Sequence, residues 1–297
     1  MNRGILYALG AYLAWGFLPV FWKSVQIASP LEILSHRVVW SLLLVVGVLA
    51  YQRHWRWLTA ALRNRRILLT FLATAVLLSI NWLTYIWAVN AGHIVESSLG
   101  YFINPLVNVV FGVIFLGERM RAGQWLAVGL AAAGVLYLTL SLGALPWIGL
   151  TLAFSFAGYG LLRKTAALNS LEGLALETLF LFIPALLYLF YLDSTNQGVF
   201  GHTAPLTTVL LMLSGVFTAL PLLLFAAGAR RIPFSLVGIL QYTGPTIQLL
   251  LGIFLYGEAF SSTKLIGFGL IWLALALYSG ESLIRWRRTN LLTIAQA

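Results

Sequence analysis

Ten apolar stretches, each about the 20 residues needed to cross hydrocarbon, follow one another along this chain. They run roughly over 4 to 22, 32 to 51, 67 to 89, 97 to 117, 122 to 141, 145 to 162, 172 to 192, 206 to 229, 234 to 256 and 264 to 284. Nothing constrains the fold more. Lipid offers no partner for a backbone N–H or C=O, so each stretch must satisfy its own backbone as a helix. With 61% hydrophobic and 9% charged residues, against about 25% charged in a soluble domain, the chain belongs in a bilayer. The connections are short except 52 to 66 and 193 to 205, which leaves no room for a soluble catalytic or nucleic-acid-binding domain.

Shifted by 140 residues, the chain matches itself without a gap. Leu31-Glu32 falls on Leu171-Glu172, Tyr51 on Tyr191, Pro105 on Pro245, Gly112 on Gly252, Gly117-Glu118 on Gly257-Glu258 and Gly129 on Gly269. Each half holds five spans, and an odd number of crossings makes the second copy enter from the opposite face. The expected fold is therefore an all-α integral membrane protein, ten transmembrane helices arranged as two inverted five-helix repeats, residues 1–141 and 142–297. Such repeats place a binding site near the bilayer midplane, and rocking one half against the other exposes it alternately to the two sides.

The net charge of +10 follows from topology. With the N-terminus inside, fifteen Lys and Arg fall in the cytoplasm and only Lys23 and Lys264 outside, as expected where cations stay on the cytoplasmic side. Both termini are then cytoplasmic. Residues 51 to 66 carry five Arg, whereas their copies at 191 to 206 carry no Lys or Arg. The first span is long for a signal core and lacks a small-residue cleavage site before Lys23, so it is expected to be retained. Zero cysteines exclude disulfides and thiolate metal sites.

Two charges lie inside spans, where Arg costs about 2.5 to 3.5 kcal/mol at a helix centre. Arg37 and Glu177 are mates at the repeat offset. Each sits about six residues into its helix, from opposite faces, so about 12 Å of height separates them and a direct pair is not expected. Each is a candidate substrate or gate contact, against a role in satisfying neighbouring helices. Pro105 and Pro245 fall near mid-span, where a missing N–H bends a helix and frees a carbonyl. Around them stand Tyr101, Asn104 and Asn108 in helix four, and Gln241, Tyr242 and Gln248 in helix nine. Aromatic faces and carboxamides together suit a small amphipathic organic solute, although Asn and Gln also serve as interhelical glue. Asn81 and Tyr85 in helix three, and Trp15 in helix one, join the candidate lining. The Gly123, Ala127, Ala131 stripe reads as helix packing. Glu118 and Glu258 are expected near the N-termini of the helices that follow them, with Glu32 and Glu96 hydrated. The four His are scattered, and no hydrolase elbow, phosphate loop or dinucleotide fingerprint occurs, so neither metal nor enzyme chemistry is expected.

The stretch from Trp87 to Gly134, WAVNAGHIVESSLGYFINPLVNVVFGVIFLGERMRAGQWLAVGLAAAG, resembles the RarD branch of the EamA permeases in the drug/metabolite transporter superfamily. ILSHRVVW at 33 to 40, QYTGPTIQLLLGIFLYGE at 241 to 258 and LIGFGLIWLALALYS at 265 to 279 support it. The resemblance implies a bacterial inner-membrane permease that passes a small organic metabolite through a central cavity. It also implies a cavity enclosed by helices one, three, four, six, eight and nine. That set includes Tyr85, Asn104, Gln241 and Tyr242 and leaves out Arg37 and Glu177, on helices two and seven. The expected partners are a small-molecule substrate and the lipid bilayer, not nucleic acid, with a homodimer left open. No cofactor is expected. A drug or nucleotide-sugar carrier, or a non-transporting membrane scaffold, is the alternative.

The absence of cysteine makes the orientation directly testable. Single cysteines at Asn64 and Asn196, probed in intact cells with an impermeant thiol reagent, should label at 196 only; strong labelling at 64 overturns the topology.

Overall fold

The computed structural model describes residues 3–117, 119, 121–229, 231–232 and 240–295, and within these the fold is helical with no strand. Glu118, Arg230 and residues 234–239 of the ninth expected span lie outside the described residues. The helices are α1 (Arg3–Ser24), α2 (Pro30–Tyr51), α3 (Arg56–Leu62), α4 (Arg65–Asn90), α5 (Ile94–Leu116), α6 (Ala122–Leu142), α7 (Trp147–Thr165), α8 (Ser170–Ser194), α9 (Pro205–Ala229), α10 (Thr243–Leu250) and α11 (Ser262–Ala295). A π-helical turn, Leu251–Leu255, continues α10. Eight of the described helices are long and apolar enough to cross a membrane; α7, which ends on Arg163 and Lys164, is not among them. The short α3 sits in the long arginine-rich connection, where only a loop is legible in the sequence.

Local chemistry sets the ends of the helices. Ser29 caps α2 ahead of Pro30, its hydroxyl accepting the Glu32 N–H. At the equivalent place in the second half Asn169 caps α8 in a capping box with Glu172. Side-chain oxygens here satisfy backbone donors that the first helical turn leaves free. Gly117 and Gly257, mates at the offset, both adopt φ +66, a left-handed conformation that only glycine takes without strain. They stop α5 and the π-turn.

Helices related by the 140-residue offset have related neighbours. α1 packs on α9 and α10, while α7 packs on α4 and α5; α2 packs on α9, while α8 packs on α4. α2 also meets α8, and α6 meets α11. Small residues permit the closest approaches. A Cβ on Gly100 would stand 2.5 Å from the Gly149 carbonyl oxygen, so α5 and α7 touch backbone to backbone. The stripe on α6 packs as its spacing suggests: Ala127 and Ala131 are buried and Gly134 lies against Gly267 and Ile271 of α11.

Two acidic residues differ from expectation. Glu258 does not serve the helix that follows it. Its carboxylate accepts the Ile94 and Val95 N–H groups at 2.7 and 2.8 Å, capping α5 in the other half, because the αL turn at Gly257 throws the chain back across that helix end. Glu32 is not hydrated but 2% exposed, and its Oε1 accepts the N–H groups of Val199 and Phe200 at 2.7 and 3.3 Å. Its mate Glu172 meets His54 Nε2 at 2.7 Å. Each of these two glutamates thus fastens the long connection of the opposite half. Pro245 also differs: the helical span breaks before it at Gln241-Tyr242, and it occupies the first turn of α10, where its missing N–H leaves no ladder bond unmade.

Two predictions follow from the caps. Glu258→Ala removes two charge-assisted bonds from a helix start and should lower the melting temperature of the detergent-purified protein by an amount equivalent to about 1.5 to 3 kcal/mol. Asp193→Ala, on an exposed site, should leave the melt unchanged; equal melts for the two variants contradict the capping role. Since Asn64 itself caps α4, the exposed Gln52 offers a cysteine site in the same connection without loss of a cap, and it should resist labelling as 64 does.

Candidate functional site

α2 delivers Arg37 into the protein in its second turn, where the residue is 4% exposed. Its guanidinium carbon lies 3.8 Å from the ring centroid of Trp82 and 5.2 Å from that of Trp22. Trp82 and Tyr85 lie three residues apart on α4, a spacing that sets side chains on one face of a helix. Tyr85 meets Tyr101 of α5 edge-on at 5.7 Å. Both tyrosines lie close to the guanidinium. Four helices thus contribute to one aromatic enclosure around a cation. Although α2 lies outside the set that the resemblance implies, its Arg37 reaches side chains of α1, α4 and α5.

Hydrogen bonding in this enclosure is one-sided. Arg37 Nε and Nη1, Trp22 Nε1 and the Tyr85 hydroxyl are all buried without a hydrogen-bond partner. Among the described residues no carboxylate lies within ion-pair distance of Arg37. Contact with indole rings stabilises a guanidinium by about 2 kcal/mol when desolvated, but an indole ring face offers no lone pair to the N–H groups. The N–H groups in the plane keep their need for an acceptor.

Glu177 is held elsewhere. It is fully buried, 3.8 Å from Arg163 Nη1 of α7, and its Oε2 accepts from the Tyr159 hydroxyl at 3.5 Å, while Oε1 and Arg163 Nη1 have no hydrogen-bond partner. Phe71 lies under the Arg163 guanidinium at 5.1 Å. The two charged clusters meet α4 at residues 71–74 and 82–85, about 16 Å apart along its axis. Arg37 and Glu177 therefore do not pair, in line with their expected depths.

The carboxamides mostly join helices. Asn81 Nδ2 donates to the Leu152 carbonyl and to Ser155 Oγ, both at about 3 Å, binding α4 to α7. Asn104 Nδ2 donates to the Ala153 carbonyl at 3.0 Å, binding α5 to α7, and its Oδ1 accepts from Asn108 Nδ2 at 3.0 Å. Gln248 Nε2 donates to the Trp15 carbonyl at 3.1 Å. Asn108 is exposed although it lies well inside α5. Gln241 and Tyr242 are half-buried, Tyr242 parallel to Phe102 at 6.5 Å. The Trp15 ring packs with Tyr12 and Phe225 rather than with Arg37. Pro105 stays inside a continuous α5, one residue beyond Asn104.

Of the sequence candidates, the structure gathers Arg37, Tyr85 and Tyr101. Trp22 and Arg163 were not legible as members of either cluster: Trp22 ends a span as an interfacial anchor does, and Arg163 sits among cations that topology already explains. Among the described residues no three His, Asp or Glu side chains gather as a metal site would require.

Membrane-crossing helices that bury charge and amide groups between them define a multi-pass membrane protein. The EamA-like transporter family matches residues 2–140 and again residues 144–280. Similar proteins include Protein RarD of Streptomyces exfoliatus, 46% identical over 97% of this chain and 92% of that one. Uncharacterized transporter YojE of Bacillus subtilis is 45% identical over 97% of each chain. A solved structure superposes with a TM-score of 0.58 at 17% identity, covering 92% of this chain and 96% of the other, a likeness of fold alone. The chain belongs to the EamA-like transporter family, with close relatives that carry the name RarD.

The buried ion pair makes a sharp prediction. Glu177→Leu leaves Arg163 without its anion and should destabilise the protein by about 3 kcal/mol or more, whereas Arg163→Leu combined with Glu177→Leu should recover most of the loss. Additive losses in the melting of the single and double variants would show that the two charges are not coupled.

Proposed function

We propose that this chain is a permease of the bacterial inner membrane that moves a small organic metabolite by alternating access. In this reading ten helices cross as two inverted five-helix repeats, residues 1–141 and 142–297, with both termini in the cytoplasm. The fifteen-to-two distribution of cations supports the orientation. The family match in two consecutive copies and the offset-related helix neighbours support the repeats. RarD proteins and bacterial transporters among the relatives support the activity.

The observation that carries the proposal is the enclosure around Arg37. A guanidinium sealed between indole and phenol rings, with in-plane donors unanswered by the protein, is expensive to bury and is not needed for packing. A solute that reaches it supplies what the protein withholds. Asn108 adds a second support. An amide exposed well inside a span is costly against hydrocarbon and cheap against water, so its exposure favours a wet cleft beside α5 and α7. Asn104, Gln241, Tyr242 and Gln248 continue the polar lining from there, with Pro105 and Pro245 fixing the turns of backbone that carry them. At the far end of α4, Glu177 with Arg163 and Tyr159 keeps the opposite entrance shut while the Arg37 end is loaded, and Asn81, beside Trp82, holds α4 to α7 between the two ends. Trp15 packs the middle of α1 against α9 and α10, about which the halves rock.

Reconstitution tests this. Proteoliposomes loaded with a pool of bacterial metabolites should show protein-dependent counterflow of at least one labelled organic solute. Arg37→Ala should reduce that flux at least about tenfold, the effect of losing one charge-assisted contact, and Lys264→Ala should leave it unchanged. Flux absent for every solute, or equal in the two variants at matched incorporation, overturns the assignment.

A further inference from the structure

Resting on the permease reading above, we infer that the Arg37 enclosure binds the carboxylate of a monoanionic organic solute, with the Tyr85 hydroxyl and Trp22 Nε1 as additional donors. The inference starts from a count of donors and acceptors. Arg37 Nε and Nη1, Trp22 Nε1 and Tyr85 Oη are buried without partners, in residues that are 4%, 0% and 3% exposed. Guanidinium and indole nitrogens only donate, and a phenol donates readily. A set so weighted toward donors answers to an anion, since a neutral amide or alcohol would bring donors of its own into a place that lacks acceptors.

The charge of the ligand follows from the charge of the cage. Arg37 is the one cation in the enclosure among the described residues. Lys23, next to Trp22, is drawn aside, its Nζ donating to the Asn90 carbonyl at 3.2 Å and standing 5.7 Å from the Tyr256 ring. One cation balances a carboxylate; a phosphate dianion would keep an unbalanced charge in low dielectric. Geometry agrees. Trp82, at 3.8 Å, and Trp22, at 5.2 Å, stand against the guanidinium while Nε and Nη1, on one edge of it, have no partner, and a guanidinium edge matches a planar carboxylate. The surrounding rings of Tyr85, Tyr101 and Trp82 leave an apolar wall for the body attached to that carboxylate. With Arg37 so little exposed, loading requires the helices around it to part, as alternating access entails.

Tyr85 gives the decisive variant. Its hydroxyl has no protein partner in the described structure, so Tyr85→Phe should leave the unliganded melt unchanged or slightly raised, yet weaken the anion by about two- to twelve-fold. A tyrosine that serves only packing would leave carboxylate affinity unchanged. The experiment uses the detergent-purified full chain and the probes acetate, butyrate, benzoate and 3-phenylpropanoate, each beside its neutral amide, with phenylphosphonate as the dianion. Titration calorimetry and melting shifts should show that carboxylates bind and their amides do not. Phenylphosphonate should bind more weakly than benzoate above the pH at which it becomes dianionic. Arg37→Lys, which keeps the charge and loses the fork, should weaken carboxylates by more than about tenfold, and Arg37→Gln should abolish the preference over amides. If amides bind as well as acids, or if Arg37→Gln and Tyr85→Phe both leave carboxylate affinity untouched, the anion site is wrong. Proteoliposome flux of a neutral solute through wild type and Arg37→Gln alike would then leave the permease reading standing without it. If no probe binds wild type and no solute is moved, both readings fall together. Stronger binding of phenylphosphonate than of any carboxylate would reassign the cage to a phosphate-bearing ligand and overturn the carboxylate.

Discussion

Every polar group placed at hydrocarbon depth must find its partner inside the protein, and most of this structure follows from that demand. It makes each span a helix. It also decides which side chains hold the helices together: Asn81 and Asn104 reach the carbonyls of Leu152 and Ala153 across α7, and Gln248 reaches Trp15 on α1. Such bonds are worth about 0.6 to 2 kcal/mol each in a bilayer, modest individually. Their importance is positional, because they fix the rotation of α4, α5 and α10 and so decide which faces turn toward the Arg37 enclosure.

The ends of the helices are governed by carboxylates acting across the two halves. Glu258 closes the start of α5, Glu32 holds the connection at Val199 and Phe200, and Glu172 holds His54. Glu258 and Glu32 take backbone donors that would otherwise be left free, Glu258 at the positive end of α5, while Glu172 takes an imidazole nitrogen. Because each contact ties one half of the chain to the other, relative movement of the halves must either carry these ties along or break them.

Arg37 and Glu177 show how one position in a duplicated sequence acquires two fates. Both are sealed from solvent at comparable depth in their helices. Glu177 has a cation and a phenol beside it; Arg37 has aromatic rings and, among the described residues, no anion. A counter-charge lowers the cost of burying Glu177, and no such counter-charge stands beside Arg37 among the described residues.

The helices were legible in the sequence because an apolar run of about 20 residues leaves the backbone one solution in lipid. The span limits read from hydropathy fall within a few residues of α1, α2 and α4 to α9, and α11 begins where the tenth span was expected but runs on to Ala295, beyond its expected end at 284. The repeat offset named Arg37 and Glu177 as matched charges, and the aromatic and amide content of helices three and four pointed to Tyr85 and Tyr101. What the sequence could not carry was partnership. Asn104 reads equally well as a lining group or as a bond to α7, Arg163 reads as one cation among fifteen, and Glu258 reads as the cap of the next helix until the chain is folded back upon α5. Periodicity and hydropathy are properties of one segment in its solvent, and they survive in a linear string. Hydrogen-bond partners are set by which helices touch and at what rotation, so it took the tertiary structure to decide that Glu177 has a cation beside it and that Arg37 has no anion.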